Sequence, residues 1–203
     1  MSHYFNKDID KEVKSQEFIY QVKFKDTTFS FVSDNGVFSK DFLDIGTKIL
    51  LDNLDIKEKS HILDMGCGIG VIGIILTKLL GVTADLVDVN DRALRLSNIN
   101  ALRNHVDVSV FESDFFQNIS SKYDYIISNP PIHVGKEALH SFYENSVNYL
   151  HNDGELWLVI NKKHGALTTI KKLEEIYGFV EVVNKKTGFY VIKAKKCLTN
   201  WHF

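Results

Sequence analysis

The run His61-Ile62-Leu63-Asp64-Met65-Gly66-Cys67-Gly68-Ile69-Gly70-Val71-Ile72-Gly73 sets glycines directly behind an apolar strand and ahead of an apolar helix. Glycine turns tightly and leaves no Cβ between a ligand and the unpaired N–H groups of a helix N-terminus. A nucleotide-like ligand is implied. A second segment, Tyr123 to Ser128, runs into Asn129-Pro130-Pro131. Proline fixes φ and carries no N–H, so the carbonyls of this turn stay available as acceptors beside the Asn129 side-chain oxygen. Two acceptors, Asn129 and the Pro130 carbonyl, can hold both hydrogens of an exocyclic or amide NH2 and aim its nitrogen at an electrophilic methyl group. Such a displacement runs on positioning and electrostatics, without an obligatory general base.

Two glycine frames overlap in the first segment. Gly68-x-Gly70-x-x-Gly73 fits a dinucleotide fingerprint, and Asp64-x-Gly66-x-Gly68-x-Gly70 fits the loop of S-adenosylmethionine enzymes. A carboxylate beside the strand end repels a pyrophosphate and attracts a sulfonium and an ammonium, so Asp64 favours the second ligand. Asp88, in Leu86-Val87-Asp88-Val89-Asn90, stands where a carboxylate accepts both ribose hydroxyls of either ligand. Asp114 falls at the next strand end, where an adenine amino group is read. Each aspartate alone is equally an ordinary turn residue. Three of them at successive strand ends around one glycine loop point to a pocket. Cys67, inside the loop, reads as a small packed thiol rather than a redox sensor.

The elements around these segments follow from periodicity. Phe18, Tyr20, Val22 and Phe24 alternate, Lys25-Asp26-Thr27 turns, and Phe29 and Phe31 continue the spacing of two, which predicts a hairpin. Asp44 to Leu54 carries helical spacing. Strands are then predicted over His61 to Asp64, Ala84 to Asp88, Val106 to Phe111, Tyr123 to Ser128 and Glu155 to Ile160. Helices alternate with them: one through Leu80, Asp91 to Arg103 with Asn90 as N-cap, Glu137 to Leu150, and Gly165 to Tyr177. That rhythm is an α/β, doubly wound parallel sheet, whose ligands lie at the carboxyl ends of its strands. Phe179 to Val183 and Phe189 to Ala194 are separated by a connection too short for a parallel crossover, so this last pair is expected to be antiparallel. Residues 1–54 are expected to form a hairpin and helix packed on a core of residues 55–203, one compact domain overall.

Composition narrows the class. Of 203 residues, 44% are apolar and 25% charged, with two prolines, which excludes disordered and fibrous chains. No apolar run approaches a membrane span, and Met1 to Asp10 is too polar for a signal peptide, so a cytoplasmic protein is expected. Two cysteines without a Cys-x-x-Cys pair offer no metal site. The formal charge of −2 is unevenly spread: from Asn161 onward nine lysines face three glutamates, a net of +6, which leaves −8 on the first 160 residues. This asymmetry is either a set of solvated faces or a functional basic surface. Lys193 and Lys195 alternate onto one face and are the first candidates to contact phosphates.

The pair Asp64-Met65-Gly66-Cys67-Gly68-Ile69-Gly70 and Asn129-Pro130-Pro131 resembles the class I S-adenosylmethionine-dependent methyltransferases that act on amino nitrogen. More narrowly, Gly36-Val37-Phe38-Ser39 with Asp44-Ile45-Gly46, and Asn129-Pro130-Pro131-Ile132-His133-Val134-Gly135, are similar to the RsmC-type 16S ribosomal RNA guanine-N2 methyltransferases. The resemblance covers about Phe29 to Ala194. It implies a Rossmann-like, seven-stranded, mostly parallel sheet with an antiparallel last strand. It implies cofactor contacts at Asp64, Gly66, Gly68, Gly70, Asp88, Val89, Asp114 and Asn129, with Asn129 and Pro130 as the catalytic amine acceptors. Ribosomal RNA or the small ribosomal subunit becomes the expected partner of a monomeric enzyme. Ile132 stands where an aromatic residue often stacks on the target base, so His133 or Phe38 is expected to supply a flat face in the substrate site. RsmC-type enzymes also carry a further N-terminal domain that 203 residues do not accommodate, so RNA recognition is expected of the hairpin, the basic C-terminal region, or both.

Three other readings remain open on the residues. Glutamine-amide methylation of a protein uses the same turn, usually with Tyr where Ile132 stands. A cofactor- or RNA-binding module without turnover would keep the same pocket. A nicotinamide dehydrogenase would leave Asp64 and the Asn129-Pro130-Pro131 turn unexplained.

Overall fold

The computed structural model describes residues 14–35, 37, 43–130 and 135–196. Strands β1 (Glu17–Phe24) and β2 (Thr27–Asp34) form an antiparallel hairpin. Helix α1 (Ile45–Asn53) leads into β3 (His61–Met65), α2 (Val71–Leu80), β4 (Thr83–Asp88), α3 (Asp91–Arg103), β5 (Ser109–Glu112) and β6 (Tyr123–Ser128). Then come α4 (Lys136–Ser146), β7 (Leu150–Asn161), a 3-10 turn (Lys162–His164), α5 (Ala166–Ile176), β8 (Phe179–Lys186) and β9 (Phe189–Lys195). Seven strands make one sheet in the order β5-β4-β3-β6-β7-β9-β8, with β9 antiparallel to both of its neighbours. The strand order reverses between β3 and β6, so a crevice opens at the carboxyl ends of those two strands.

Both faces of the sheet are covered, and the central strands are apolar on both sides as a result. Ile62, Leu86, Ile127 and Val159 lie in one core with α1, α2, α3 and the hairpin. Leu63, Val87, Ile126 and Leu158 lie in the other with α4 and α5. No helix among the described residues is long and apolar enough to cross a membrane.

The hairpin is fixed to α3 through a match of periods. Asn100 and Asn104 are one helical turn apart, and Ser30 and Val32 are two residues apart on a strand, both separations being about 6–7 Å. Asn100 Oδ1 accepts from Val32 N–H at 2.7 Å while its Nδ2 donates to Val32 O at 3.0 Å. Asn104 repeats the pattern on Ser30, at 3.0 and 2.9 Å. Two helix side chains thus satisfy a strand edge.

Four predicted boundaries move by three residues or more: β7 starts at Leu150 rather than Glu155, β8 runs to Lys186 rather than Val183, and two others shift with them. The helix expected to run to Leu150 stops at Ser146, because Tyr149 O accepts from Tyr123 N–H at 2.8 Å and Leu150 already pairs with Tyr123 in the sheet. Sheet pairing overrides an apolar spacing that reads equally as helix. The strand expected from Val106 starts at Ser109, since His105 sits at φ +55° and Val106 N–H returns to Ala101 O at 3.1 Å to close the end of α3.

Candidate active site

The glycine loop joins β3 to α2 at the crevice. The Gly66 and Cys67 N–H groups both donate to Val87 O, at 2.9 and 3.0 Å, which folds the chain back over the end of β4. Gly66 and Gly68 have φ of +72° and +55°, and a Cβ on either would meet no atom within 4 Å. Their free side is open to a ligand. Gly73 serves a different purpose: a Cβ there would lie 2.6 Å from Leu86 Cδ1, so the close packing of α2 on β4 excludes any side chain. Ser97 Oγ donates to Gly68 O at 2.8 Å and Asn100 Nδ2 to Ile69 O at 3.0 Å, so α3 holds the loop from behind. Cys67 is buried, and burial pushes its thiol well above the usual range, which keeps it protonated and inert.

The aspartates do unlike things. Asp64 is 1% exposed and turned into the protein, where its Oδ2 accepts from Gly73 N–H at 2.9 Å in the first turn of α2. Burial pushes its carboxyl up to about 7, against the Gly73 bond and with help from Asp88. Asp88 lies at the crevice, accepting from Gly68 N–H at 2.9 Å, Val89 N–H at 2.8 Å and Asn90 N–H at 3.0 Å. Asp114 Oδ1 is buried and has no hydrogen-bond partner among the described residues. An orphaned acceptor of that kind is costly unless a ligand donor meets it.

Between them lies a slot whose walls include Met65, Gly66, Asp88, Val89, Phe115 and Phe142. Phe115, at φ +49°, stacks on Phe142 with ring centroids 5.5 Å apart. Ser113 Oγ donates to Phe115 O at 2.6 Å and fixes that unusual turn. Apolar walls, the Asp88 carboxylate and Cβ-free backbone at Gly66, with Gly68 next along the loop, fit an adenosine with a cationic tail; Asp114 follows β5 beside the slot and does not line it. Phe115 and Phe142 carry no sequence motif; only a run of aromatic residues in Phe111 to Phe116 hinted at the first.

Asn129 follows β6 and is half-buried. Its Nδ2 donates to Asp44 Oδ2 at 2.9 Å and to Thr47 Oγ1 at 3.0 Å. A carboxylate only accepts, so the amide nitrogen must face Asp44, and the amide oxygen is turned the other way. Oδ1 receives no hydrogen bond from a described residue. Asp44 is also the N-cap of α1, the same Oδ2 accepting from Thr47 N–H at 2.9 Å. Helix α1 therefore sets the rotation of the amide. Sequence reasoning found Asp44 at a helix start and did not connect it with Asn129, 85 residues away. The structure brings Asn129 and the glycine loop to one edge: Ser128 Oγ, next to Asn129, donates to Met65 O at 2.7 Å, next to Gly66.

Phe38, Ile132 and His133 lie outside the described residues, as do Pro131 and the tail from Cys197. Lys193 and Lys195 do not stand as unopposed charges. Lys193 Nζ is 2.9 Å from Glu181, and Lys195 Nζ is 3.5 Å from Asp153.

A profile of the family described as "Methyltransferase small domain" matches residues 28–193. An uncharacterized Bacillus subtilis protein, YbxB, is 43% identical over 199 residues, covering 96% of this chain and 98% of that one. Ribosomal RNA small subunit methyltransferase C of Psychromonas ingrahamii is 38% identical over 148 residues, covering 70% of this chain and 42% of its own length. The enzyme of that name from Erwinia tasmaniensis is 37% identical over 166 residues, covering 79% and 48%. The chain thus spans somewhat under half the length of these two relatives. Among solved structures, the T. thermophilus 16S rRNA N2 methyltransferase RsmC, in complex with AdoMet and guanosine, superposes with a TM-score of 0.81 at 22% identity, covering 90% of this chain and 51% of that one.

Proposed function

The chain belongs to the methyltransferase small domain family, and we propose that it transfers the methyl group of S-adenosylmethionine to the exocyclic N2 of a guanine in small-subunit ribosomal RNA. The observation that carries this reading is the fixed amide of Asn129, whose nitrogen is committed to Asp44 and Thr47. The relatives named for small-subunit ribosomal RNA support the substrate class.

When bound, the cofactor supplies a methyl group activated by a positively charged sulfur. The chain's own residues do the rest by placement. Gly66 and Gly68 allow close approach at the loop, Asp88 takes the ribose, Val89, Phe115 and Phe142 flank the base, and Asp114, beyond the end of β5, is the residue we assign to its amino group. Asn129 Oδ1 and the Pro130 carbonyl accept the two hydrogens of the guanine amine, fix its lone pair on the methyl carbon, and stabilise the positive charge that develops on nitrogen. The amine proton leaves to solvent once that charge has formed. Asp64, under the loop, adds negative potential on the cofactor side. Such a substrate places the enzyme in the cytoplasm.

Labelled methyl transfer to undermethylated ribosomal RNA or 30S particles, followed by nucleoside analysis, tests the proposal. N2-methylguanosine should form, and should vanish with Asn129→Ala. Cofactor binding without label in RNA, or label in any other nucleoside, would overturn it.

A further inference from the structure

The lysines of the C-terminal region divide into two groups by what they touch. Lys172 is held by Glu144 and Glu175, Lys193 by Glu181, and Lys195 by Asp153. Lys196 Nζ donates to the carbonyls of Val147 and Leu150. Lys162, Lys163, Lys171, Lys185 and Lys186 are exposed, and none pairs with a described acidic residue; Lys185 Nζ lies 5.1 Å from the Tyr190 ring centroid. Lys171 sits apart on α5, and the other four share an edge.

Their placement follows from the sheet. Ser128, the last residue of β6, pairs with Leu158, and β7 continues for three more residues to Asn161, about 10 Å further at 3.3 Å each. Lys162 and Lys163 follow directly. Asn161 pairs with Phe189, which pairs with Lys186, while Lys185 pairs with Tyr190. Lys162 N–H donates to Gly188 O at 2.7 Å and ties the two turns together. The four lysines therefore form one ridge across three strands, standing beyond the carboxyl edge on which Asn129 sits.

The ridge is held in register with the reacting centre. A Cβ on Gly46 would lie 3.0 Å from both Asp44 Oδ2 and Phe189 Cε1, so the first residue of β9 packs against the cap that orients Asn129. Asn184 Nδ2, just before the ridge, donates to Asn53 Oδ1 on α1 at 2.9 Å. The opposite side of Asn129, toward β3, β4 and β5, carries Asp64, Asp88, Glu112 and Asp114. The methyl donor's side is acidic and the other side basic, with the acceptor amide at the boundary.

We propose that Lys162, Lys163, Lys185 and Lys186 dock the phosphate backbone of the substrate RNA beside the target guanine. This rests on the RNA reading given above and adds which surface the RNA occupies and from which side it approaches. Three strands span about 10 Å, and phosphates along one strand of a duplex recur every 3.4 Å or so of axis, so the ridge can meet about three of them. A polyanion reaching the edge is drawn to the ridge and repelled from the cofactor side, which leaves the base at Asn129.

The test compares the wild type, the variant carrying Lys162→Gln, Lys163→Gln, Lys185→Gln and Lys186→Gln, and the control carrying Lys193→Gln and Lys195→Gln. Each is titrated with a small-subunit ribosomal RNA fragment from 50 to 300 mM KCl, and its S-adenosylmethionine affinity is measured to verify the fold. About three lost phosphate contacts, at about 0.7 each for a single strand, should flatten the slope of log K against log salt by about 2 and weaken binding at 100 mM at least roughly tenfold. Cofactor affinity should stay within about twofold, and the control should bind RNA like the wild type. A ridge variant with wild-type RNA affinity and slope overturns the docking surface and leaves the RNA reading standing. A wild type that neither binds nor methylates RNA overturns the RNA reading itself, and an acidic protein acceptor would then be the occupant to pursue.

Discussion

Replacing Asp44 with alanine removes one oxygen that serves two groups at once. Asp44 Oδ2 accepts from Thr47 N–H at 2.9 Å and from Asn129 Nδ2 at 2.9 Å. The first loss is an N-cap, about 1 kcal/mol of stability, which for a chain of this size lowers Tm by about 2–4 °C. The second acts on the rate. With Asp44 gone, only Thr47 Oγ1, at 3.0 Å, holds the amide nitrogen, and the amide is free to turn its N–H groups toward the substrate amine. A hydrogen bond to a charged group contributes about 1.5–3 kcal/mol, so kcat should fall roughly 10- to 150-fold. Cofactor affinity, set by the glycine loop and Asp88, should change less than about twofold. Asp44→Asn should recover most of the rate, because Asn caps as well as Asp and its single oxygen can accept both bonds. Single-turnover methyl transfer to RNA, cofactor titration and thermal unfolding read the three quantities separately. If Asp44→Ala retains kcat within about twofold while Asn129→Ala is inactive, helix α1 does not orient the amide and the reasoning fails.

Three further predictions concern the cofactor side. Burial raises the Asp64 carboxyl from 3.8 to about 7, so the folded protein binds more protons than the unfolded chain between about pH 4 and 7. Stability therefore falls as pH rises through that window and is level above it, by at most about 4 kcal/mol. Asp64→Asn keeps an acceptor for Gly73 N–H and loses the charge; its Tm should exceed that of the wild type at pH 8 and equal it near pH 4, and a difference that does not change with pH would contradict the assignment. Gly73→Ala, with its Cβ 2.6 Å from Leu86 Cδ1, should cost about 1–3 kcal/mol of stability, read by thermal unfolding. Gly68→Ala, whose Cβ meets no protein atom within 4 Å but stands at φ +55°, should lose cofactor affinity by tenfold or more with a stability cost of only about 1–2 kcal/mol; calorimetric titration would show the reverse pattern if these glycines were exchanged in role.

The features legible along the chain are local ones. A glycine loop between an apolar strand and a helix, aspartates at successive strand ends, an Asn-Pro-Pro turn and a final connection too short for a crossover are all set by neighbours a few residues apart. Backbone sterics and hydrogen bonding act over that range: the glycine loop meets Asp88 and the end of β6 at the crevice edge, and β9 runs antiparallel to its neighbours. The remaining features depend on contacts between distant elements. The direction Asp64 faces depends on where α2 packs, and the extent of β7 depends on the strand it pairs with. The lysines that remain unopposed depend on which acids the sheet brings beside the others, so the alternation that singled out Lys193 and Lys195 missed Glu181 and Asp153. The rotation of Asn129 is set by Asp44 and Thr47, 85 and 82 residues earlier in the chain. Spacing along a sequence encodes which way the backbone turns. The partner that meets a side chain across the core is fixed by the simultaneous packing of every element.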